Sequence, residues 1–585
     1  MEDTTKLLSL EIFSSSCDRL DDAERIRIAY LRAREIAKTF SQYSLQFRKK
    51  DDASLMQHAP CQEFDLSDIL SLSPEFWAFH QNNICAYDMA AFSLMTIQYN
   101  LAAGTLATHM SNQAHRQLLD RILKFEISAH FLLTELGHGL DARSLETTAT
   151  LQPDGTFDLH TPCDGAAKYM PPTSPIQGFP RLGIVFAKLF VHGDERGTRP
   201  FVFRLNDGMR MADGVVSSKV LPRRAGSKPL DHSITSFNHV KLPSWAILGS
   251  VDNIDDDRAN FSSIASRITV GTFAIATTIL PIMKRCIYTS AMYSLRRHVS
   301  NQSGKSVPIM HFRTQHGPLL HGLAQLLVFE AWIPECIKTF KASPADDFTR
   351  HAIGSVVKAT LTNMAQSTLY HLAERCGAQG LYESNHIIES QLESRGISIS
   401  EADTLVLSIR VATSLLTGRH KFMPAENLTS FLSLHETSLL DESRALLSKM
   451  KGGHRGSDFN DRILLRCQPF VEAVGHRMAF EAAQGAKVCP KILKLYEIGI
   501  ILRDSAWYVE NCGLSRDQQF EWESAALSAV LAGLDTHMDE LGVEHFCKAP
   551  IISDDMMSEY IGRLPIFGDH GSARPKTDTS IISRL

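Results

Sequence analysis

The sequence lacks the cysteine and histidine patterns of a disulfide-bonded or metal-binding protein. Its eleven cysteines are scattered from Cys17 to Cys547, and none of them forms a C-x-x-C pair. An odd, unpaired set fits a reducing intracellular compartment better than a disulfide framework. Histidine is plentiful, with 24 residues, yet no H-E-x-x-H or similar helical pair occurs. We therefore predict no metal site.

Long apolar runs and a surplus of one charge are also missing. The longest apolar stretch, Thr269 to Met283, has about 15 residues and contains Pro281, which is short of the ~20 that cross a bilayer. The N-terminal MEDTTKLLSLEIF has no basic region typical of a signal peptide. The net charge of −5, with both signs interspersed, gives no indication of a nucleic-acid track or a polybasic membrane surface. We expect a soluble protein that neither spans a membrane nor binds nucleic acid.

Residue patterns divide the chain into regions of different character. Its 585 residues exceed what one hydrophobic core can organise, so three or four structural units are expected. Apolar residues recur at helical spacing in 22–127, 260–422 (with an interruption at 301–308) and beyond the polar break at 451–457. Between 134 and 250, short β-rich runs alternate with Gly, Pro, Thr and Asp, which indicates strands joined by turns.

Several motifs, in register along the chain, resemble those of the acyl-CoA oxidase family. The segment 134–150, TELGHGLDARSLETTAT, resembles the family's flavin-contacting T-E-L-G-H-G turn and the L-E-T-T-A-T strand that follows it. LDHSITSFNHVKLPSWAIL (230–248), YSLRRH (293–298) and HFRTQH (311–316) are similar to the family's later segments. The resemblance covers at least Ile127 to Leu416, and the first pair of motifs is its most specific part.

The family resemblance makes Glu401 the candidate catalytic base. Oxidases of this family carry the base in E-G-[DE]-N-T-V-L, and the stretch 401–407 reads EADTLVL here. A carboxylate base takes an α proton of a CoA thioester while the β hydrogen leaves as hydride to the flavin. The alternative is a capping box, Ser398-x-x-Glu401, before an apolar helix. Both roles are compatible, because a helix N-terminus would hold the base as a carboxylate. Asp403 is either a neighbour of the site or an N-terminal helix charge.

The resemblance also implies a set of FAD-binding residues. Thr134 would hydrogen-bond the flavin ring, Arg297 would reach the pyrophosphate, and the glycines of C-G-A-Q-G (376–380) would approach the adenosine part, while Gly137 and Gln315 belong to the matching T-E-L-G-H-G and F-x-T-Q segments. Each has a simpler alternative, such as a turn threonine, a solvated helix arginine or an ordinary loop. The predicted cofactor residues are Thr134, Gly137, Arg297, Gln315, Gly377 and Gly380.

Several positions depart from the family's pattern. The stretch 168–172, KYMPP, stands where the family has K-W-W-P-G-G, so Pro172 replaces a glycine whose N–H would contact FAD. Arg313 replaces a glutamine, Ala378 and Gln379 alter the glycine loop, and Ala402 replaces the glycine after the base. The chain is also shorter than is usual in the family. These changes predict a diverged member with a reshaped pocket and a specialised CoA-thioester substrate.

The resemblance implies an α+β fold, mostly α. We expect an N-terminal helical domain (1–130), a central β-barrel-like domain (131–255), two C-terminal helical-bundle domains (256–422, with the flavin and base, and 423–564) and a tail (565–585). The tail ends in Ser583-Arg584-Leu585, which matches the peroxisomal targeting tripeptide read by an import receptor.

The implied activity is that of an FAD-dependent acyl-CoA oxidase, which desaturates an acyl-CoA and reduces O2 to H2O2. The alternatives are a dehydrogenase with another electron acceptor and a non-catalytic partner subunit. A homodimer is implied as well, because Arg297 and the 376–380 loop would serve the neighbour's cofactor.

Overall fold

A computed structural model describes residues 2–14, 17, 20–47, 65–176, 178–212, 216–344 and 348–565. Its α-helices, numbered α1 to α24 in chain order, are Glu2–Ser9, Glu11–Ser14, Asp22–Phe47, Leu66–Ser71, Pro74–His80, Asn83–Tyr87, Met89–Thr96, Gly104–Thr108, Gln113–Leu123, Asp257–Ile264, Ser266–Thr277, Ile279–Arg296, Arg313–Ala342, Phe348–Arg375, Ile387–Ile399, Thr404–Leu416, Phe431–Ser448, Ser457–Arg462, Leu464–Gly485, Pro490–Ile501, Ser505–Cys512, Arg516–Leu531, Leu534–Glu540 and Asp554–Gly562. A π-helix, Ile97–Ala103, joins α7 to α8.

The strands lie mainly in the middle of the chain. Numbered β1 to β11, they are Ser128–Leu132, Thr148–Leu151, Phe157–His160, Lys168–Pro172, Arg181–Val191, Asp194–Asn206, Val216–Val220, His232–Phe237, Val240–Leu242, His298–Ser300 and Ser306–Pro308. The chain is thus mostly helical with a β unit between helical regions, which confirms the predicted fold class.

Strand β5 organises the central sheet. Over its eleven residues it pairs in parallel with β1 and then with β2 along one edge, and antiparallel with β6 along the other. Strands β3 and β9 extend the sheet beyond β2, while β4, β8 and β7 form a separate three-stranded sheet. Apolar side chains of β1, β3, β5 and β6 form a core distinct from that of the helices.

Helix α14 lies at the centre of the C-terminal helices. It packs against α11, α12, α13, α15, α16 and α19, and most of its residues are buried. Its buried residues include polar ones such as Ser355, Lys358 and Thr360 beside the apolar ones. Side chains on α14 therefore reach the turns that connect its neighbours.

The apolar run noted in the sequence belongs to a longer helical stretch. Ser266–Arg296, formed by α11 and α12, is long and apolar enough to cross a membrane by length and composition. However, 89% of its apolar window is buried within the protein, where it packs against α13 and α14. Its apolar character is therefore accounted for by packing in the helical core.

The predicted interruption at 301–308 is an ordered β-hairpin. Strands β10 and β11 pair antiparallel, with Val299 opposite Val307. The side chain of Asn301 accepts hydrogen bonds from the backbone of Ser303 and Lys305, and Gly304 takes a positive φ of 76°. Asn favours turns because its side chain binds the nearby backbone, and Gly favours them because it adopts positive φ without strain. The break in helical spacing therefore marks a tight turn.

Candidate active site

Glu401 lies in a short turn between two helices. Helix α15 ends at Ile399, and α16 begins at Thr404 with Asp403 as its N-cap. The Asp403 carboxylate accepts hydrogen bonds from the backbone N–H groups of Leu405 (2.9 Å) and Val406 (3.2 Å). The capping-box alternative is therefore wrong, because Ser398 is still inside α15. Asp403 is the helix cap, as one of its two predicted roles required.

The carboxyl group of Glu401 points into the protein. The residue as a whole is half-buried, but its Oε2 is shielded from solvent and has no hydrogen-bond partner among the described residues. A Cβ placed on Gly271 of α11 would lie 2.1 Å from this oxygen and 2.7 Å from Nδ2 of Asn100. Only a glycine at 271 leaves room for the carboxyl group.

Burial has the largest effect on the pKa of this carboxyl group. It raises the pKa of Glu401 from 4.5 to about 8, although the nearby cations Lys358 and Arg267 act in the opposite direction. Removing a carboxylate from water disfavours its charged form. The expectation that the helix N-terminus holds Glu401 as a carboxylate is therefore corrected. The helix begins three residues later, and burial is the larger effect.

Arg267 is held in place by groups other than Glu401. Its guanidinium donates to the carbonyl oxygens of Ile69 (3.1 Å) and Asn100 (2.9 Å) and to the Asn100 side-chain oxygen (2.7 Å). This arginine is buried and fastens α11 to the π-helix beside the site.

A buried ion pair joins the separate motifs of the β unit. Glu135 and Lys168 are both fully buried, with Nζ 2.8 Å from Oε1. The Glu135 carboxylate also accepts hydrogen bonds from the backbone N–H groups of Glu146 (2.7 Å) and Thr147 (3.0 Å). The motifs TELGHG, LETTAT and KYMPP therefore meet at one carboxylate. The sequence comparison found these motifs but not the contact that joins them.

Thr134 immediately precedes this ion pair. Its carbonyl oxygen accepts a hydrogen bond from the Tyr169 N–H at 2.9 Å, while its own N–H and hydroxyl have no partner in the described part of the chain. The N–H of Gly137 donates to the carbonyl of Gly165 at 2.8 Å, and a Cβ on Gly137 would lie 3.2 Å from that oxygen. Thr134 thus has free polar groups, and Gly137 permits close approach of two backbones.

The departure at Pro172 lies within strand β4. The register between β4 and β8 shifts between Tyr169 and Pro172, and Met170 takes a positive φ of 79°. Nδ1 of His232 donates a hydrogen bond to the Met170 carbonyl at 2.9 Å. Pro172 is buried and has no N–H to donate, so this strand offers one donor fewer than a glycine there would.

Arg297 and Gln315 lie at the end of α12 and the start of α13. Arg297 is exposed one residue beyond the end of α12, and its carbonyl accepts a hydrogen bond from Ile309 (2.7 Å). Gln315 is in the first turn of α13, with its buried Oε1 lacking a partner within the described ranges. Arg375, next to the glycine loop, donates to the carbonyl of Thr314 at 3.3 Å. These contacts bring the start of α13 beside residues 376–380.

The two glycines of that loop serve different purposes. The loop is a 3-10 helix, Gly377–Leu381. Gly377 has a positive φ of 59°, and a Cβ there would meet no atom within 4 Å. A Cβ on Gly380 would lie 2.1 Å from the carbonyl oxygen of Ala373, so packing within the chain already requires glycine there.

Arg313 is engaged away from the glycine loop. Its guanidinium donates to the hydroxyls of Ser524 (2.9 Å) and Ser528 (3.1 Å) on α22. This contact gives the residue a role in packing α13 against α22.

Two further expectations concern other parts of the chain. The targeting residues Ser583, Arg584 and Leu585 lie outside the described residues. Among the described residues, no group of three or more His, Cys, Asp or Glu side chains could hold a metal ion.

Comparison with known proteins shows what the chain is similar to. The family model described as the acyl-CoA oxidase C-alpha1 domain matches residues 268–416. Among curated relatives, putative acyl-coenzyme A oxidase 3.2, peroxisomal, of Arabidopsis thaliana is 23% identical over 363 residues, 58% of this chain and 52% of the relative. Peroxisomal acyl-coenzyme A oxidase 3 of Homo sapiens is 22% identical over 317 residues, 49% of this chain and 45% of the relative. The chain spans about half the length of these relatives.

Solved structures show the same architecture. Acyl-CoA oxidase 1 from Yarrowia lipolytica matches with a TM-score of 0.79 at 17% identity, covering 100% of this chain and 92% of that chain. Acyl-CoA oxidase-2 of Caenorhabditis elegans, bound with FAD, ascaroside-CoA and ATP, matches with a TM-score of 0.70 at 15% identity, covering 96% of each. The fold is therefore that of the acyl-CoA oxidases. The family model and the curated relatives support the same resemblance to the acyl-CoA oxidases.

The described residues fit a bound FAD, except that Pro172 cannot donate a backbone hydrogen bond. Within the described part of the chain, the hydroxyl and N–H of Thr134 and the buried Oε1 of Gln315 have no partner, and Gly377 faces open space. Buried polar atoms without a partner in the protein are normally satisfied by water or a ligand. Pro172 removes a single backbone donor and leaves these other groups in place.

Proposed function

We propose that the chain is an FAD-dependent acyl-CoA oxidase that converts a CoA thioester to the trans-2-enoyl-CoA. The observation that carries the proposal is the buried Oε2 of Glu401, which has no hydrogen-bond partner in the described ranges and lies within the stretch matched by the C-alpha1 family model. A buried acid with a strongly raised pKa, in a chain whose family performs proton abstraction, is a candidate general base. When bound, FAD supplies the acceptor for the β hydride and passes two electrons to O2, which becomes H2O2.

Glu401 performs the proton transfer in this proposal. Its ionised carboxylate takes the α proton of the thioester, and the α C–H electron pair becomes the new Cα=Cβ bond as the β hydrogen leaves as hydride. The backbone N–H of Glu401 has no acceptor among the described residues, so it is available to polarise the thioester carbonyl. Base and donor would then belong to one residue.

The test is a peroxide-coupled assay together with anaerobic bleaching of the flavin absorption by acyl-CoAs. The wild-type protein should bind FAD, bleach and produce H2O2 without an added acceptor. Glu401→Gln should keep the flavin and lose turnover. Glu393→Gln is the matched control, since burial likewise raises the pKa of Glu393, to about 7, while its carboxylate binds the Lys228 N–H at 3.1 Å. Full activity of Glu401→Gln would overturn the assignment of the base.

Two rival functions give different results in the same assay. A dehydrogenase would bleach with acyl-CoA but yield peroxide only poorly, and would turn over with an artificial electron acceptor. A non-catalytic partner subunit would remain colourless after reconstitution with FAD. The lost donor at Pro172 is the observation that favours this last alternative.

We also propose a specialised acyl group. The irregular β4, with Met170 at positive φ and Pro172 in the place of a glycine, supports a flavin pocket that differs from the family pattern. A panel of acyl-CoAs of different length and polarity tests this. Highest kcat/KM with straight-chain palmitoyl-CoA would contradict it.

A peroxisomal location and a homodimer complete the proposal. The chain ends in Ser583-Arg584-Leu585, and its curated relatives are named peroxisomal. Deleting these three residues from a fluorescent fusion should leave the fusion protein cytosolic, and unchanged peroxisomal puncta would refute the signal.

The homodimer is proposed because Arg297 is exposed, as a residue that contacts the cofactor of a partner subunit must be. Sedimentation at a mass of one chain would contradict the dimer.

A further inference from the structure

The turn that carries Glu401 has an unfavourable backbone conformation. Glu401 and the following Ala402 both have positive φ angles, 58° and 82°. A residue with a Cβ pays roughly 1–2 kcal/mol for this conformation, and such conformations persist only where neighbouring groups hold them. The groups that hold this turn therefore also set the position of the carboxyl group.

Three consecutive carbonyl groups of the turn accept hydrogen bonds from side chains of α11 and α14. The ammonium group of Lys358 on α14 donates to the carbonyl oxygens of Ser400 and Ala402, the latter at 2.6 Å. Between them, the carbonyl of Glu401 accepts a hydrogen bond from the Thr272 hydroxyl at 2.7 Å. The backbone N–H and the carboxyl group of Glu401 remain available on the other side.

Lys358 also places a positive charge behind the base. It is fully buried and forms no ion pair within 4.0 Å in the part of the chain that is described. Burial lowers the pKa of Lys358 to about 8, against the attraction of Glu401 and Asp403. Arg267, the other cation near Glu401, donates to Asn100 and Ile69 instead, so Lys358 is the cation that binds the backbone of the turn.

We propose that Lys358 is a positioning residue for Glu401. Its ammonium group fastens the carbonyls of Ser400 and Ala402, which keeps the left-handed turn, and provides the positive charge that favours ionisation of the buried carboxyl group. This role rests on the proposed function of Glu401 as the base. A lysine that only filled the core would affect stability alone, whereas this role also affects the pH dependence of proton abstraction.

Two variants separate the hydrogen bonds from the charge. Lys358→Met removes both, and Lys358→Gln keeps an N–H donor without the charge. The matched control is Lys284→Met, because Lys284 pairs with Glu330 at 2.5 Å on the neighbouring helices α12 and α13. The first readout is the pH dependence of anaerobic flavin reduction by an acyl-CoA in the FAD-loaded protein.

We expect both Lys358 variants to move the acidic limb of this profile upward by about one pH unit or more, which is a tenfold loss of ionised base at a given lower pH. Lys358→Met should also lower the midpoint of thermal unfolding more than Lys358→Gln. Lys284→Met should keep the wild-type profile. A wild-type profile in both Lys358 variants would overturn the proposal.

The second readout needs no turnover. A double-mutant cycle of thermal unfolding combines Lys358→Gln with Glu401→Gln, and the two changes should be non-additive because the groups interact. Additive changes would overturn the positioning role. If no acyl-CoA reduces the wild-type flavin, the proposed function fails, while this cycle still decides whether Lys358 acts on Glu401.

Discussion

Substituting Glu401 by glutamine should change how the stability of the protein depends on pH. Burial raises the pKa of this carboxyl group from 4.5 to about 8. Between these two values the folded protein keeps a proton that the unfolded chain has released. Stability therefore falls as pH rises through this window, and the glutamine variant lacks this contribution.

The magnitude follows from the width of the window. Each pH unit costs about 1.4 kcal/mol, so raising the pH from about 5 to about 6.5 should remove about 2 kcal/mol from the wild type through Glu401 alone. This range keeps Lys358, whose pKa is about 8, charged in the wild type. An unfolding entropy of about 2.1 cal/mol/K per residue over 585 residues converts this loss to a decrease of about 1.5–2 °C in Tm.

The assay is thermal unfolding at matched pH values, comparing the slopes of Tm against pH. Between about pH 5 and about pH 6.5, the Tm of Glu401→Gln should fall by about 1.5–2 °C less than the Tm of the wild type. Glu510→Gln, on an exposed position of α21, controls for the removal of one acidic group and should follow the wild type. Equal slopes for wild type and Glu401→Gln would show that the carboxyl group is not buried as described.

Three other substitutions test the surroundings of the site. Ala402→Gly should raise the stability by up to about 1 kcal/mol, because glycine adopts the positive φ of 82° without strain. Lys168→Met should cost about 3–5 kcal/mol in thermal or denaturant unfolding, because it leaves the buried Glu135 carboxylate without its counter-ion, and it should lower the flavin content. Arg313→Gln should leave the ratio of flavin to protein unchanged and cost about 1 kcal/mol, since the guanidinium binds α22.

Controls and contrary outcomes accompany these three. Ala445→Gly, at an exposed helical position of α17, should destabilise by about 1 kcal/mol, opposite in sign to Ala402→Gly. Adding Glu135→Gln to the Lys168 variant should recover part of the loss, and no recovery would argue against the buried pair as its cause. A marked fall in flavin content in Arg313→Gln would place that side chain at the cofactor after all.

The sequence predicted the order of helical and β regions because periodicity is a local property. Strands such as β5 and β6 follow the short β-rich runs, and helices such as α11 and α12 follow the apolar spacing. Irregular elements were less visible. The hairpin of β10 and β11 read only as a break, since three-residue strands are too short for an alternating pattern.

The candidate site was predictable only where a motif marked it. Glu401, Thr134 and the glycine loop were found through the family resemblance, and their roles remain predictions. Gly271, Thr272 and Lys358 were not found, because they contact the turn across long stretches of chain. Thr272 and Glu401 are 129 positions apart, and Lys358 and Ser400 are 42 apart. No spacing rule connects residues whose contact depends on how α11 and α14 pack.

The environment of Glu401 combines two opposing requirements. As the proposed base, Glu401 must ionise, yet the burial that shields it from water raises its pKa to about 8, which favours the protonated form at neutral pH. Greater exposure would restore the charge, but it would also admit water to the site. The chain instead places Lys358 behind the turn and leaves the carboxyl oxygen Oε2 without a hydrogen-bond donor among the residues that the structure describes. An ammonium group favours the ionised form without occupying the oxygen that must accept the proton, which a direct hydrogen bond would do.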